Sequence, residues 1–232
     1  MLECYGVIYE FTSCEEIEVC GPTNIMSNNN LYVGRDFVID SSNNMFVPFF
    51  NSNILGKYDL TTQTFVGQSA QILSNPKSVA IDETNGVICV TNTSYFPYPF
   101  CQVTFFDYTD LSLSSTLNIN GNPPNKVYFN PNDNYFYVTT TNQGFLVGPI
   151  YVYSGLSYNT MSLVGTFGIS QSNTISDIIQ IGSFIYVLNQ TLTRIEKYTD
   201  SAGGWTFVNS YFLSSAPVSF RITHLQVYYI FQ

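Results

Sequence analysis

Three stretches of the chain repeat one pattern of apolar and polar positions. Residues 37–49 read FVIDSSNNMFVPF, residues 79–92 VAIDETNGVICVTN, and residues 127–140 VYFNPNDNYFYVTT. Each opens with an apolar run, passes through Asp or Asn into a polar turn, and returns through a second apolar run. Short runs rich in β-branched and aromatic residues, bounded by turn formers, predict β-hairpins. Two further copies are DIIQIGSFIYVLNQ at 177–190, with a shorter turn, and VSFRITHLQVYYIFQ at 218–232. With Val47, Val90, Val138, Val187 and Tyr229 taken as equivalent, the steps are 43, 48, 49 and 42 residues. A period of about 40–50 residues is that of a four-stranded propeller blade.

The segments between the hairpins repeat as well. Residues 54–68, 102–119, 149–167 and 193–212 each hold a strand, a polar turn and another strand. No such segment follows the last hairpin, but YGVIYEFTSCEEIEVCG at 5–21 has the same outline. The expected fold is all-β: a five-bladed β-propeller of four-stranded blades forming one domain over 1–232. Its ring closes when the N-terminal outer strands join the C-terminal inner strands, which also reduces exposed sheet edges. A β-sandwich is the runner-up, but it does not explain five hairpins at near-constant spacing.

Residues 82–86, Asp-Glu-Thr-Asn-Gly, could open a cation loop, but no downstream bidentate acid completes one. The repeat makes them a hairpin turn in which Asn and Gly supply positive φ. The hairpins resemble those of the NHL, YncE-like and gluconolactonase-like (SMP-30) propellers. The match rests on Pro76, Asp82, Asn85, Gly86, Val90, Thr91 and Asn92, and on Pro124, Asn130, Tyr137, Val138 and Thr139. The resemblance implies the fold. Its lactonase-like members hold a metal through Glu and Asn or Asp at the channel, a set not identifiable in this sequence.

Composition narrows the function. The chain is 16% aromatic and only 10% charged, with net charge −9 and seven Lys plus Arg. Nucleic-acid binders gain affinity by neutralising phosphates with basic groups, so nucleic acid is not an expected partner. Anionic membrane surfaces are disfavoured for the same reason, and no run approaches the roughly 18 apolar residues of a spanning helix. The N-terminal stretch has no basic n-region or small-residue cleavage site, so no secretory signal is read there. A cytoplasmic setting or a place in a virion or surface assembly fits. Cys4, Cys14, Cys20, Cys89 and Cys101 contain no CxxC pair, and reduced thiols are expected, although Cys14 and Cys20 could meet across a hairpin. Asn92-Thr-Ser and Asn189-Gln-Thr match the glycosylation pattern, as chance allows in so Asn- and Thr-rich a chain.

No catalytic set assembles from these residues, and no cofactor or metal is expected. A Ser-His-Asp or Cys-His centre would need the single His224, which falls in a hairpin turn. Asp36 and Asp177, near the starts of inner strands, could form a carboxylate pair, with structural pairing or capping the favoured role. Arg35 and Lys77 align in the repeat, with Lys126 one step along. They read either as a positive patch at the channel mouth or as partners of neighbouring acids. The loops joining second to third strands are longest at 92–102 and 141–151. Tyr95, Phe96, Tyr98 and Phe100, stiffened by prolines, together with Asn142 and Phe145, form a candidate binding surface. The expected function is a non-enzymatic propeller for protein binding or self-assembly, including a structural part in a larger multicopy assembly. A glycan-binding propeller and a lactonase- or glycosidase-like enzyme are the alternatives.

Overall fold

The computed structural model describes residues 36–70, 73–93, 101–119, 123–140, 149–168, 175–201, 204–213, 217–223 and 226–231. Among them every regular element is a strand. Blade 1 comprises β1 (Val38–Ile39), β2 (Asn44–Phe49), β3 (Ile54–Asp59) and β4 (Thr64–Gln68). Blade 2 comprises β5 (Pro76–Asp82), β6 (Val87–Thr93), β7 (Cys101–Asp107) and β8 (Ser114–Asn118). Blade 3 holds β9 (Pro124–Asn130), β10 (Tyr135–Thr140), β11 (Ile150–Ser154) and β12 (Ser162–Phe167). Blade 4 holds β13 (Ile175–Ile181), β14 (Phe184–Asn189), β15 (Arg194–Ser201) and β16 (Gly204–Phe212). A last hairpin pairs β17 (Pro217–Thr223) with β18 (Gln226–Phe231).

Each four-stranded sheet is an antiparallel meander in chain order. First strands meet across blades, β1 with β5, β5 with β9, β9 with β13 and β13 with β17, so they form the inner wall. This is the β-propeller anticipated from the repeat, with four complete blades and a fifth inner hairpin. The segment 5–21, expected to complete the fifth sheet, and His224, between β17 and β18, lie outside the described residues.

The hairpin turns fold as the sequence pattern dictates. Asn43, Gly86, Asn134 and Gly182 have φ of 61°, 64°, 60° and 60°, one in the inner hairpin turn of each complete blade. Asn tolerates this left-handed region better than most side chains, and Gly adopts it freely. In blades 1 to 3 the Asp or Asn that opens the turn ties it down. Asp40 accepts from the amides of Ser42 and Asn44 at 2.9 and 2.7 Å. Asp82 accepts from the Asn85 amide at 3.1 Å and its side chain at 2.7 Å, and Asn130 accepts from the Asn132 amide at 3.1 Å. These are Asx turns, and they account for the acids at 40 and 82 without a ligand.

The core lies in layers between blades, because each sheet buries both faces. Phe46 and Leu55 of blade 1 pack with Val79, Ile88, Val90 and Phe106 of blade 2. Cys89, Val103 and Phe105 pack with Val127, Phe136 and Tyr153 of blade 3. Tyr137, Val152 and Phe167 pack with Ile178, Val187 and Tyr198 of blade 4. Aromatic side chains dominate these layers through edge contacts such as Phe105–Phe136 and Tyr137–Phe167, with centroids 6.0 and 6.1 Å apart. Cys89 and Cys101 are buried free thiols in the second layer, and burial pushes both pKa values up. Cys4, Cys14 and Cys20 lie outside the described residues.

Candidate functional site

The inner wall carries one repeated irregularity. Ser78 pairs with Thr91 and Pro76 with Asn92, so Lys77 is an extra residue, a β-bulge. Ser176 and Val218 are extra in the same way on β13 and β17, and residues 125 and 126 together face Thr139 on β9. A bulge frees a backbone amide, and here the neighbouring strand satisfies it. The Thr91 hydroxyl accepts from the Ser78 amide and the Thr139 hydroxyl from the Lys126 amide, both at 3.0 Å.

In the strand register, Ser78, Lys126 and Asp177 directly precede the residues paired with Val90, Val138 and Val187, and the β1–β2 pairing continued past Val38–Phe46 sets Asp36 level with them. Lys126 donates to both oxygens of Asp36 at 2.9 Å. Lys126 belongs to blade 3 and Asp36 to blade 1, so the ion pair reaches past blade 2. Ser78 of blade 2 donates to the same carboxylate at 2.5 Å and accepts from the Val127 amide at 3.1 Å. Three blades are thereby joined through one carboxylate. Asp36 is largely consumed by this work, with a side chain only 16% exposed. Asp177 is buried and accepts from the Ile178 amide at 2.9 Å.

Of the residues proposed from sequence, Lys126 thus sits in the ion pair with Asp36. Lys77, one position earlier in the register, is the half-buried bulge residue. Arg35, Tyr95, Phe96, Tyr98, Phe100, Asn142 and Phe145 lie outside the described residues. Both glycosylation-type asparagines are buried, with their amide nitrogens engaged. Asn92 donates to the Thr104 hydroxyl at 2.7 Å, and Asn189 donates to Glu196 at 2.9 Å.

Glu196 is a second polar centre. It is 1% exposed, on β15 of blade 4. Arg194 Nε and Nη2 donate to Oε1 at 2.8 and 2.6 Å, and the Tyr198 hydroxyl donates to Oε2 at 2.6 Å. Burial and the bond to Glu196 push the Tyr198 hydroxyl pKa well up. The period-two spacing of Arg194, Glu196 and Tyr198 is the sequence signal for one buried strand face carrying all three. Its four-sided hydrogen bonding makes it a structural lock between strands.

The outer strands are chemically opposite. Not one residue of β4, β8, β12 or β16 is Asp, Glu, Lys or Arg. Three of them carry a second repeated bulge. Phe65 faces Tyr58, Leu163 faces Tyr153 and Phe207 faces Tyr198, and Val66, Val164 and Val208 are the extra residues that follow. Each bulge leaves two consecutive apolar side chains in solvent, with Val66 56% and Phe207 51% exposed. On β16, Tyr211 and Phe212 extend the patch, and Phe212 is 77% exposed. β8 has no bulge and presents Ser114, Ser115 and Thr116 instead. The single Trp, Trp205, stacks on Phe167 at 5.1 Å and donates to the Tyr137 hydroxyl at 3.3 Å. Gly165 makes room for it, since a Cβ there would stand 3.0 Å from the indole.

No family model matches the chain, and no curated protein matches it. Solved structures do. A functionally unknown protein from Desulfotomaculum acetoxidans superposes with a TM-score of 0.70 at 16% identity, over 86% of this chain and 63% of that one. The β-propeller domain of Cps50 (Swd1) from Myceliophteria thermophila gives 0.66 at 10% identity, over 86% and 62%. A chain of a nidogen/laminin complex gives 0.64 at 14% identity, over 85% and 72%. The fold is a β-propeller. The chain spans less than two thirds of the first two of these structures.

Proposed function

We propose that this chain is a non-enzymatic β-propeller that binds protein, an assembly module whose contact surface is its uncharged, apolar-studded rim. The observation that carries the reading is the outer-strand composition: no charge on the outer strand of any of the four blades, and exposed Phe-Val or Leu-Val pairs on three of them. Native edge strands are ordinarily blunted by charges, and exposed apolar patches mark interaction sites. A partner docking on this rim desolvates no ionised group, which removes a main cost of association.

The inner wall supports the same reading. Asp36 is bound by Lys126 and Ser78, and Asp40 and Asp82 hold turns, so these acids serve the ring. Trp205 is packed between blades 3 and 4, and its use there leaves the glycan reading without that ring as a stacking platform. Tyr95, Phe96, Tyr98 and Phe100, with Asn142 and Phe145, belong to the proposed contact set on sequence grounds alone. Within propellers, the turn and strand outline of residues 76–92 supports kinship with the NHL, YncE-like and SMP-30-like group. The two-stranded β17–β18 hairpin and the strand–turn–strand sequence of residues 5–21 support the proposal that the outer strands of the fifth sheet come from that segment. Cross-linking mass spectrometry in the native source tests the reading. Cross-links from a partner should map beside β4, β12 and β16 or residues 94–100. Turnover of a lactone or glycoside by the purified chain, abolished by Asp36→Asn, would overturn it.

A further inference from the structure

We infer that asparagine-linked glycosylation and folding of this chain exclude each other, so that the native protein forms only where the glycosylating machinery is absent. The chain holds two acceptor sequences, Asn92-Thr93-Ser94 and Asn189-Gln190-Thr191. Acceptors that are used belong to surface loops of secreted proteins. These two do not. Asn92 lies in β6 and Asn189 ends β14, the second strands of blades 2 and 4, each two residues past the equivalent valines Val90 and Val187. The backbone of Asn92 pairs with Pro76 on one side and Gln102 on the other, and that of Asn189 pairs with Ile175 and Arg194. The two residues are 1% and 0% exposed.

Nδ2, the atom that would carry the glycan, donates to the Thr104 hydroxyl at 2.7 Å in Asn92 and to Glu196 Oε1 at 2.9 Å in Asn189. Glycan transfer forms a bond from Nδ2 to the first sugar, breaks that sugar's bond to a lipid-linked pyrophosphate and releases one Nδ2 proton. In the folded chain Nδ2 is sealed from a donor of that size. On the nascent chain, before β7 and β15 are made, both asparagines are open acceptors. A sugar attached at that stage takes the place of Thr104 beside Asn92, or of Glu196 beside Asn189. Interiors are packed so closely that even one added methylene is felt, and a sugar ring is far larger. Modification therefore has to precede folding, and folding cannot follow it. The thiols agree with a site of folding outside the glycosylating compartment. Cys89 and Cys101 are buried and free, the ordinary state of cysteine in a reducing environment.

Expression of the full chain in a eukaryotic cell by two routes tests this, once in the cytosol and once behind a cleavable secretory leader. A second chain carries Ser94→Ala and Thr191→Ala, which erase both acceptor sequences and leave the asparagines in place. From the cytosol both chains should fold alike by circular dichroism, with the parent at its unmodified 26.1 kDa. By the secretory route the parent should carry glycan and yield at least tenfold less folded, secreted protein than the double variant. Blocking synthesis of the lipid-linked sugar should rescue the parent as the substitutions do, a readout that does not depend on how the variant folds. A parent secreted in folded form with sugar on Asn92 or Asn189 overturns the inference. So does a folded yield from the parent that is the same with and without glycan transfer, or a glycan on either asparagine in protein from the native source.

Discussion

At Lys77 and Ser176 the inner strands gain a residue, and at Val66, Val164 and Val208 the outer strands do the same. On the inner wall, the neighbouring threonine takes up the displaced amide in blades 2 and 3, and the next residue joins an inter-blade polar network. On the rim, two apolar side chains are left in water. The same backbone device therefore closes bonds where the blades converge and exposes surface where they diverge. Charge follows the division: Asp36 and Lys126 pair at the wall, and the outer strands have none. The wall holds the ring together and the rim is left for contact.

Substitutions can break this division, and the largest effect belongs to the inter-strand lock. Glu196→Ala leaves Arg194 and Asn189 without their acceptor in a buried site, and should cost about 3–5 kcal/mol. Chemical denaturation monitored by fluorescence measures it. Asp36→Ala should cost about 2 kcal/mol, since Lys126 loses its counter-charge and Ser78 its acceptor, but Lys126 is partly solvated. Lys126→Met should cost less than Asp36→Ala, because the carboxylate keeps its bond from Ser78.

The seam between blades 1 and 2 carries a pH signature. The Tyr108 hydroxyl of blade 2 donates to Asp40 in the blade 1 turn. Burial and the Asp40 bond push the Tyr108 pKa up to about 12. Its contribution is present below the unfolded value of about 10 and is lost as pH rises from there toward 12. For Asp40, burial pulls upward, but the bonds from Tyr108 and Asn44 outweigh it and hold the pKa below the usual carboxylate range. That contribution is present above about pH 4 and is lost as pH falls through the lowered value. Tyr108→Phe should destabilise by about 1–2 kcal/mol at neutral pH and abolish the loss assigned to this tyrosine above pH 10. Melting temperature against pH measures both. The smallest effect is expected at the rim: Val66→Thr, Val164→Thr and Val208→Thr should each change stability by less than about 0.5 kcal/mol.

The repeat made the architecture legible. Asp40, Asp82 and Asn130 announce the turns, and Asn43, Gly86, Asn134 and Gly182 take the positive φ that those turns need. The alternation fixed which strands pair and which runs are buried. It did not reveal the bulges, because one extra residue inside an apolar-polar alternation looks like ordinary variation. Lys126 does stand one step along from Lys77, as the aligned strands have it, but the alignment did not bring it level with Ser78 and Asp177, as the bulged register does. The reach of Lys126 to a carboxylate ninety residues away is a product of the ring and has no local signal. The Glu196 lock and the uncharged rim were within reach of sequence, in the period-two TRIEKY and in the charge-free TFVGQ, SLVGTF and GWTFVNSYF. Their meaning depends on knowing which face is inside.

Hydrogen–deuterium exchange of residues 204–212, in the purified chain and in the complex isolated from its native source and compared with residues 114–118, tests the rim claim most directly. Both are outer strands without charge, but only the first bears the exposed apolar cluster. Exchange at 204–212 should be slower in the complex than in the chain alone, while exchange at 114–118 stays constant. Equal exchange of residues 204–212 in the two samples would contradict the account.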